Sequence, residues 1–212
     1  MTLEKRGPIS TGIDILDRKI GGGIPVGTVT ALSASPASQS ELFLYELAAT
    51  RRTVYLSTLR TEDAVAAVLD DRDIDLDTIE VFRIDEGDPI GTAEQALDEL
   101  SEETNMIVDP VDVLESSDST SYRWFLAELN QHVTGTTNTA VLHCLDDDVT
   151  PGQRRNTIHF ADIVLQLSTE VSGDGIENRL TVPKFRTGQS VEEVIKLDMT
   201  SEVEVDLSRN IL

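Results

Sequence analysis

Residues 27–48 have the sequence GTVTALSASPASQSELFLYELA, which predicts a strand, a tight loop and a helix in succession. Residues 29–32 are a short apolar, β-rich run, as in a buried strand. Small polar residues and one proline follow at 33–38, and apolar residues from Leu42 onward recur at helical spacing. The free amides and the dipole at the start of such a helix favour an anion, so phosphate-binding loops occur at junctions of this kind.

The phosphate-loop pattern is glycine, four residues, glycine, lysine, then serine or threonine, and it aligns without a gap on residues 34–41. Ala34 and Gln39 occupy the glycine places, Ser40 the lysine place and Glu41 the place of the magnesium-binding hydroxyl. Because a charge pair near a protein surface is worth about 4 kcal/mol, replacing lysine and adding an acid predicts a loss of several decades in affinity for nucleotide. The eight positions of this degenerate loop are Ala34, Ser35, Pro36, Ala37, Ser38, Gln39, Ser40 and Glu41.

The same loop has a second interpretation that needs no ligand. Ser38 and Glu41 have the spacing of a capping box, in which the serine and the glutamate each accept a hydrogen bond from a free amide at the helix start. We therefore expect the helix to cap itself, with its own carboxylate where a phosphate would lie. A nucleotide site that still functions is the alternative.

Composition predicts one α/β domain over residues 1–212, with a lead-in segment at 1–27 and a core at 28–207. The formal charge of -22 comes from 39 acidic and 17 basic residues, and the acids are scattered along the whole chain. Such a lysine-poor, acid-rich composition resembles that of proteins from salt-loving archaea, where counterions screen the repulsion. It also opposes general affinity for nucleic acid, so we expect the arginine pairs at 51–52 and 154–155 to be solvated surface.

Three further features of composition predict where and how the chain works. Cys144 is the only cysteine, which excludes an internal disulfide and a cysteine-based metal cluster. The first ten residues, MTLEKRGPIS, lack the apolar core of a signal peptide, and no apolar run is long enough to span a bilayer. We therefore expect a cytoplasmic protein without a membrane partner.

The lead-in at residues 9–27, ISTGIDILDRKIGGGIPVG, predicts a short helix with Ile13, Leu16 and Ile20 on one side, ended by glycines. This run, placed just before a strand and loop, resembles the opening of the RecA/KaiC-like P-loop ATPases of archaea. The matching residues are Thr11, Gly12, Leu16, Asp17, Gly21, Gly22, Gly23, Ile24, Pro25 and Gly27. The resemblance covers residues 9–207 and implies a RecA-like P-loop NTPase fold: a mostly parallel, twisted sheet flanked by helices, with an antiparallel C-terminal extension.

The resemblance also implies roles for residues beyond the loop. Active members carry two adjacent acids after the second strand, where this chain has Leu59 and Arg60. Asp109, which closes the strand at 106–109, matches the aspartate that orients magnesium, although an aspartate before proline is more often turn chemistry. His143 matches a polar sensor of nucleotide state at the end of the fourth strand. A strand-end histidine with no special role is its alternative.

Lys184 and Arg186 resemble the lysine and arginine fingers by which KaiC-like proteins reach the nucleotide of a neighbouring subunit, and a solvated pair on a strand edge is the alternative. The other predicted elements are helices at 62–70, 92–103 and 118–133, with Trp124 in the core, a loop-rich connection at 144–160, and strands at 53–57, 80–84, 140–143, 162–167, 179–182, 193–197 and 203–207. A glycine-containing turn at 173–175 joins two of these strands as a hairpin. The loop-rich connection contacts DNA in recombinases of the superfamily, but here it holds three aspartates.

These observations leave three functions open. A non-hydrolysing regulatory or scaffolding relative, acting through assembly with its own copies or with a related RecA/KaiC-like protein, is the prediction, because both the loop lysine and the paired acids are replaced. No cofactor is then expected. The alternatives are an ATPase in signal transduction with an altered site, which requires ATP and magnesium, and a recombinase-like DNA-binding paralogue.

Overall fold

A computed structural model describes residues 7–172, 175–186, 191–199 and 203–205. Within these ranges nine strands form a single sheet. The strands are β1 (Val29–Ala34), β2 (Thr53–Ser57), β3 (Ile79–Arg83), β4 (Asn105–Asp109), β5 (Thr139–Leu145), β6 (Ile163–Ser172), β7 (Gly175–Phe185), β8 (Val191–Met199) and β9 (Val203–Val205).

The strand order in the sheet is β3-β2-β4-β5-β1-β6-β7-β8-β9. Neighbours from β3 to β6 pair in parallel, and neighbours from β6 to β9 pair in the antiparallel sense. Parallel neighbours need a crossover connection, which the helices supply, whereas the last strands follow one another directly. The predicted α/β architecture, mostly parallel with an antiparallel C-terminal extension, is confirmed.

Helices cover both faces of the parallel part of the sheet. They are α1 (Asp14–Lys19), α2 (Glu41–Ala48), α3 (Glu62–Asp70), α4 (Pro89–Asp98), α5 (Asp112–Glu115), α6 (Ser119–Val133) and α7 (Arg154–Phe160), with a 3-10 helix at Leu76–Thr78. Helices α1 to α3 pack on one apolar cluster, which contains Tyr55 and Ile107. Helices α4 to α7 pack on a second, which contains Val54 and Leu56. Side chains of β2 alternate between the clusters because successive strand residues point to opposite faces.

Polar side chains fix where several helices begin. The Thr61 hydroxyl accepts a hydrogen bond from Ala64 N at the start of α3, and the Asp118 carboxylate accepts from Thr120 N and Ser121 N at the start of α6. Each satisfies amides that have no partner inside the helix.

The lead-in segment is held by one aspartate and one glycine. Asp17 accepts hydrogen bonds from Thr11 N at 2.9 Å and from the Thr11 hydroxyl at 2.7 Å. Ile9 and Ile24 form an isolated antiparallel bridge, and Gly23 lies against it with φ +124. A Cβ on Gly23 would lie 2.0 Å from Ile9 O, so only glycine allows the bridge to close.

Several predictions made from the sequence differ from the structure, including the bounds of most strands after β2. The helix predicted at 92–103 runs from Pro89 to Asp98, because Asp88 caps it and Pro89 stands in its first turn. The connection after β5 contains the helix α7. Trp124 is 65% exposed, since it lies on the outer side of α6. Arg154 is buried, because it pairs with a buried acid, and Arg51 is half-buried.

Part of the predicted organisation cannot be compared with the structure. Residues 173–174 of the predicted turn and 206–207 of the predicted last strand lie outside the described residues. The first six residues of the lead-in lie outside them as well. In the described part, no helix is both long and apolar enough to cross a membrane.

Candidate functional site

The loop after β1 lies at the carboxyl edge of the sheet, between β5 and β6, which flank β1. It closes on itself: Ser35 O accepts from Ser38 N at 2.9 Å and from the Ser38 hydroxyl at 2.6 Å. Ala37 N donates to the Ser35 hydroxyl at 3.3 Å. The loop is therefore a compact turn that leads into α2.

The predicted capping box between Ser38 and Glu41 is wrong. Helix α2 begins at Glu41, with Ser40 as its N-cap residue, and no side chain caps it. Ser38 precedes the N-cap by two residues, so its hydroxyl turns back to Ser35 O instead of reaching the helix amides. The Glu41 carboxylate is engaged elsewhere, in an ion pair described below.

Three of the predicted site residues form a buried hydrogen-bonded chain. The Ser40 hydroxyl lies 2.9 Å from His143 Nε2, and His143 Nδ1 lies 2.6 Å from Asp109 Oδ1. Tyr55 completes the chain by donating its hydroxyl hydrogen to Asp109 Oδ2 at 2.5 Å. All four side chains are buried, because β2, β4 and β5 are neighbours whose carboxyl ends meet beneath the start of α2.

Burial and hydrogen bonding act in opposite directions on Asp109. Burial disfavours its charged form, but the hydrogen bonds from His143 and Tyr55 and the charges of His143 and Arg60 outweigh burial, so the pKa of Asp109 lies below its usual value. Burial, reinforced by the neighbouring Asp109 charge, raises the pKa of Tyr55. Tyr55 therefore stays a hydrogen-bond donor to a carboxylate.

Glu41 and Arg60 form an ion pair at the mouth of the loop. Arg60 Nη2 lies 3.2 Å from Glu41 Oε1, and Arg60 Nη1 donates to the Tyr45 hydroxyl at 2.5 Å. The two charged side chains are 40% and 30% exposed. Thus two residues that the sequence resemblance singled out separately, Glu41 and Arg60, contact each other.

Lys184 and Arg186 contact their own chain. Lys184 Nζ donates to Ile158 O and His159 O, each at 2.9 Å, near the end of α7. Arg186 pairs with Asp162 at 3.0 Å and also donates to His159 O. The structure does not bring these two cations to the loop at 34–41 of the same chain, and their role across an interface stays a prediction.

Sequence reasoning missed the contributions of Tyr45, Tyr55 and Arg60. The resemblance singles out Arg60 only as a departure from the active pattern. One signal was present: Glu41 and Tyr45 are four residues apart on a predicted helix, and so lie on one face. Their common partner is remote in sequence, and only the folded topology supplies it. Within the described residues, no group of three or more His, Cys, Asp or Glu side chains is arranged to hold a metal ion.

The strand order and the flanking helices give this chain an α/β fold like that of KaiC-like proteins. The structure is similar to the crystal structure of the KaiC-like protein PH0186 from the hyperthermophilic archaeon Pyrococcus horikoshii OT3, with a TM-score of 0.76 over 94% of this chain and 99% of that chain. The sequence identity is 13%, so the similarity establishes the fold alone. The chain belongs to a family of unknown function, DUF7125, whose family model matches residues 8–212. Comparison with curated proteins gives no match.

Proposed function

We propose that this protein is a non-hydrolysing RecA/KaiC-like pseudo-ATPase that regulates or scaffolds other proteins through assembly. The observation that carries the proposal is the ion pair of Glu41 with Arg60. In an active site of this class these two places serve the magnesium ion and the attacking water. Because Glu41 and Arg60 pair with each other, neither side chain is available to a magnesium ion or a nucleotide.

The buried chain from Ser40 to Asp109 supports the same function. A magnesium-orienting aspartate must present its oxygens to the ion and its waters. Here His143 Nδ1 is hydrogen-bonded to one carboxylate oxygen of Asp109, and the Tyr55 hydroxyl donates to the other. Ser40 stands in the place of the phosphate-binding lysine. The residues present do not fit magnesium and ATP.

The proposed assembly does not depend on ATP hydrolysis. A domain of this class that turns over no ATP can still offer its surfaces to another copy of itself or to a related RecA/KaiC-like protein. We propose that such contacts form without nucleotide. Lys184 and Arg186 are the candidate residues for the contact across subunits.

Calorimetric titration with ATP and magnesium in molar potassium chloride tests the proposal. We expect no binding at micromolar ATP and no phosphate release. Magnesium-dependent binding, with phosphate release abolished by Asp109→Asn, would instead establish the altered ATPase. Binding of DNA at the same salt concentration would establish the DNA-binding paralogue.

Light scattering with and without ATP tests the assembly. We expect an oligomer whose mass is the same in both conditions, and a smaller species for the double variant Lys184→Ala, Arg186→Ala. The matched control is Arg52→Ala, which removes an exposed arginine paired with Glu80 on the other side of the sheet. A monomer at every protein concentration would contradict this part of the proposal.

A further inference from the structure

A cavity of about 650 Å³, largely open to solvent, lies between α7, the loop before it and β7. Arg155, Ile158 and His159 line it from the helix, Lys184 from β7, and residues 150–152 from the loop. Its volume falls within the range of about 300–1,000 Å³ that is usual for small-molecule sites. It is separate from the loop at 34–41, because none of those eight residues lines it.

The charge of the cavity is opposite to that of the chain. Acids outnumber lysines and arginines by 39 to 17 in the sequence, but the lining contains Arg154, Arg155, His159 and Lys184 and no acid. The cations of this lining repel one another unless a counter-ion lies between them, and no acid of the lining does so. The composition of the lining therefore points to an anionic ligand.

One of these cations fixes the wall of the cavity. Arg154 Nε donates to both carboxylate oxygens of Glu115, at 3.0 and 2.9 Å, and Glu115 is 1% exposed. Arg154 Nη2 also lies 2.8 Å from Asp112 Oδ1, without the alignment of a hydrogen bond. These contacts anchor the inner face of α7, so its outer face is held rigidly toward the cavity.

The other cations retain capacity for a ligand. An ammonium group has three N–H donors, and Lys184 uses two of them on the carbonyls of α7. Arg155 is exposed and makes no ion pair within the described residues. Arg155 and His159 are four residues apart and therefore adjacent on the helix surface.

The acids near the cavity have ion-pair partners of their own. Asp112 and Glu115 are paired with Arg154, and Asp162 is paired with Arg186. The aspartates at 146–148 precede the lining loop, and none of them lines the cavity. Pro151 and Ile158 add apolar wall beside the cations.

We propose that this cavity binds a small phosphate ester, with the phosphate on Arg155, His159 and Lys184 and the organic group against Pro151 and Ile158. The N–H donors of Arg155, His159 and Lys184 suit a doubly charged group better than a carboxylate, and a guanidinium contacts two phosphate oxygens at once. The apolar wall selects an ester over the free ion. This site is independent of whether the loop at 34–41 binds nucleotide.

Phenyl phosphate is the probe, and two-dimensional NMR of the full chain is the measurement. We expect saturable shifts of the backbone amides at 152–159, weaker binding of inorganic phosphate, and none of phenol. Arg155→Gln should weaken phenyl phosphate binding by about fivefold or more, as expected for loss of a partly exposed charge-assisted contact. The matched control is Arg123→Gln, which removes an exposed arginine on α6 that does not line the cavity.

The location of the shifts separates this proposal from the proposed function. Shifts at 35–41 with ATP would refute the pseudo-ATPase and leave the cavity untouched. Absence of saturable shifts at 152–159 with millimolar phenyl phosphate, or equal affinities of Arg155→Gln and wild type, would overturn the cavity proposal. Equal affinities for phenyl phosphate and inorganic phosphate would overturn its ester selectivity.

Discussion

At the scale of single residues, Glu41 and Arg60 form an ion pair although they are 19 residues apart in the sequence. β4 and β5 separate β1 from β2 in the sheet, but α2 leads from β1 toward β2, and the Tyr45 and Tyr55 rings stack there with centroids 6.4 Å apart. Arg60, just beyond β2, therefore reaches both Glu41 and the Tyr45 hydroxyl. If only one of the two residues were present, its charge would lose its ion-pair partner.

A double-mutant cycle measures this coupling. Glu41→Gln and Arg60→Gln should each lower the free energy of unfolding, and the double variant should lose less than the sum, with a coupling of about 0.5–1 kcal/mol because the pair is partly exposed. The measurement is chemical denaturation monitored by circular dichroism. The Arg52–Glu80 pair, also at 3.2 Å but with side chains 49% and 41% exposed, is the reference and should couple less. Additive losses at Glu41 and Arg60 would contradict the interaction.

The depressed pKa of Asp109 predicts a specific pH dependence. An aspartate whose folded pKa lies below the unfolded value of about 3.9 contributes stability that is present above that value. The contribution is lost as pH falls through the unfolded and then the folded pKa. The stability difference between wild type and Asp109→Asn should therefore be largest near neutral pH and shrink in acid, as measured by urea unfolding. Asp63→Asn, an exposed change on α3, is the control. A difference that grows in acid would be inconsistent with this account.

At the scale of elements, the lead-in depends on glycine conformation. Gly21 and Gly23 have φ values of +87 and +124, so alanine at either position carries backbone strain of about 1–2 kcal/mol. At Gly21 a Cβ would have no atom within 4 Å, whereas at Gly23 it would collide with Ile9 O. The two positions therefore separate strain from collision.

We expect Gly23→Ala to lower the free energy of unfolding by about 1–3 kcal/mol more than Gly21→Ala. Thermal unfolding of both variants, compared with the wild type, is the measurement. Hydrogen exchange at Ile9 and Ile24, which bridge each other, should accelerate only in Gly23→Ala. Equal losses in the two variants would show that the bridge contributes nothing.

The sequence predicts elements better than it predicts contacts. The strand at 53–57 and the helix at 62–70 were located to the residue, because their apolar periodicities are unambiguous. Trp124 was misplaced because bulk alone does not give the face of a helix, and α7 was missed because its seven residues carry little periodicity. The capping box failed because the helix starts two residues later than predicted, which moves Ser38 out of reach of the helix amides. The hydrogen-bonded chain from Ser40 through His143 to Asp109 could not be predicted without the strand order. The resemblance gave each of these residues a separate role and did not show that they touch.

At the scale of the whole molecule, the formal charge of -22 sets the response to salt. Surface acids repel one another in the compact state more than in the unfolded chain, and ions screen that repulsion beyond about 10 Å at 0.1 M. The composition alone therefore predicts a fold that is most stable in concentrated salt.

The melting temperature should rise as potassium chloride increases from about 0.05 M to about 0.5 M, the range in which screening changes most. Differential scanning calorimetry measures it. A matched variant with several exposed acids neutralised, such as Glu62→Gln, Asp63→Asn and Glu102→Gln, should show a smaller rise. A melting temperature that falls with salt would show that attractive ion pairs dominate the surface.

The ion pair between Glu41 and Arg60 bears on how the cell would control such a protein. A ligand at a thousand times its dissociation constant adds about 4 kcal/mol to the stability of a fold that binds it. If this chain binds no ATP, as we propose, it forgoes that contribution and keeps the same stability whether ATP is abundant or scarce. Its activity would then depend on the amount of protein in the cell. Gene expression and proteolysis would set that amount, and the ATP concentration would not.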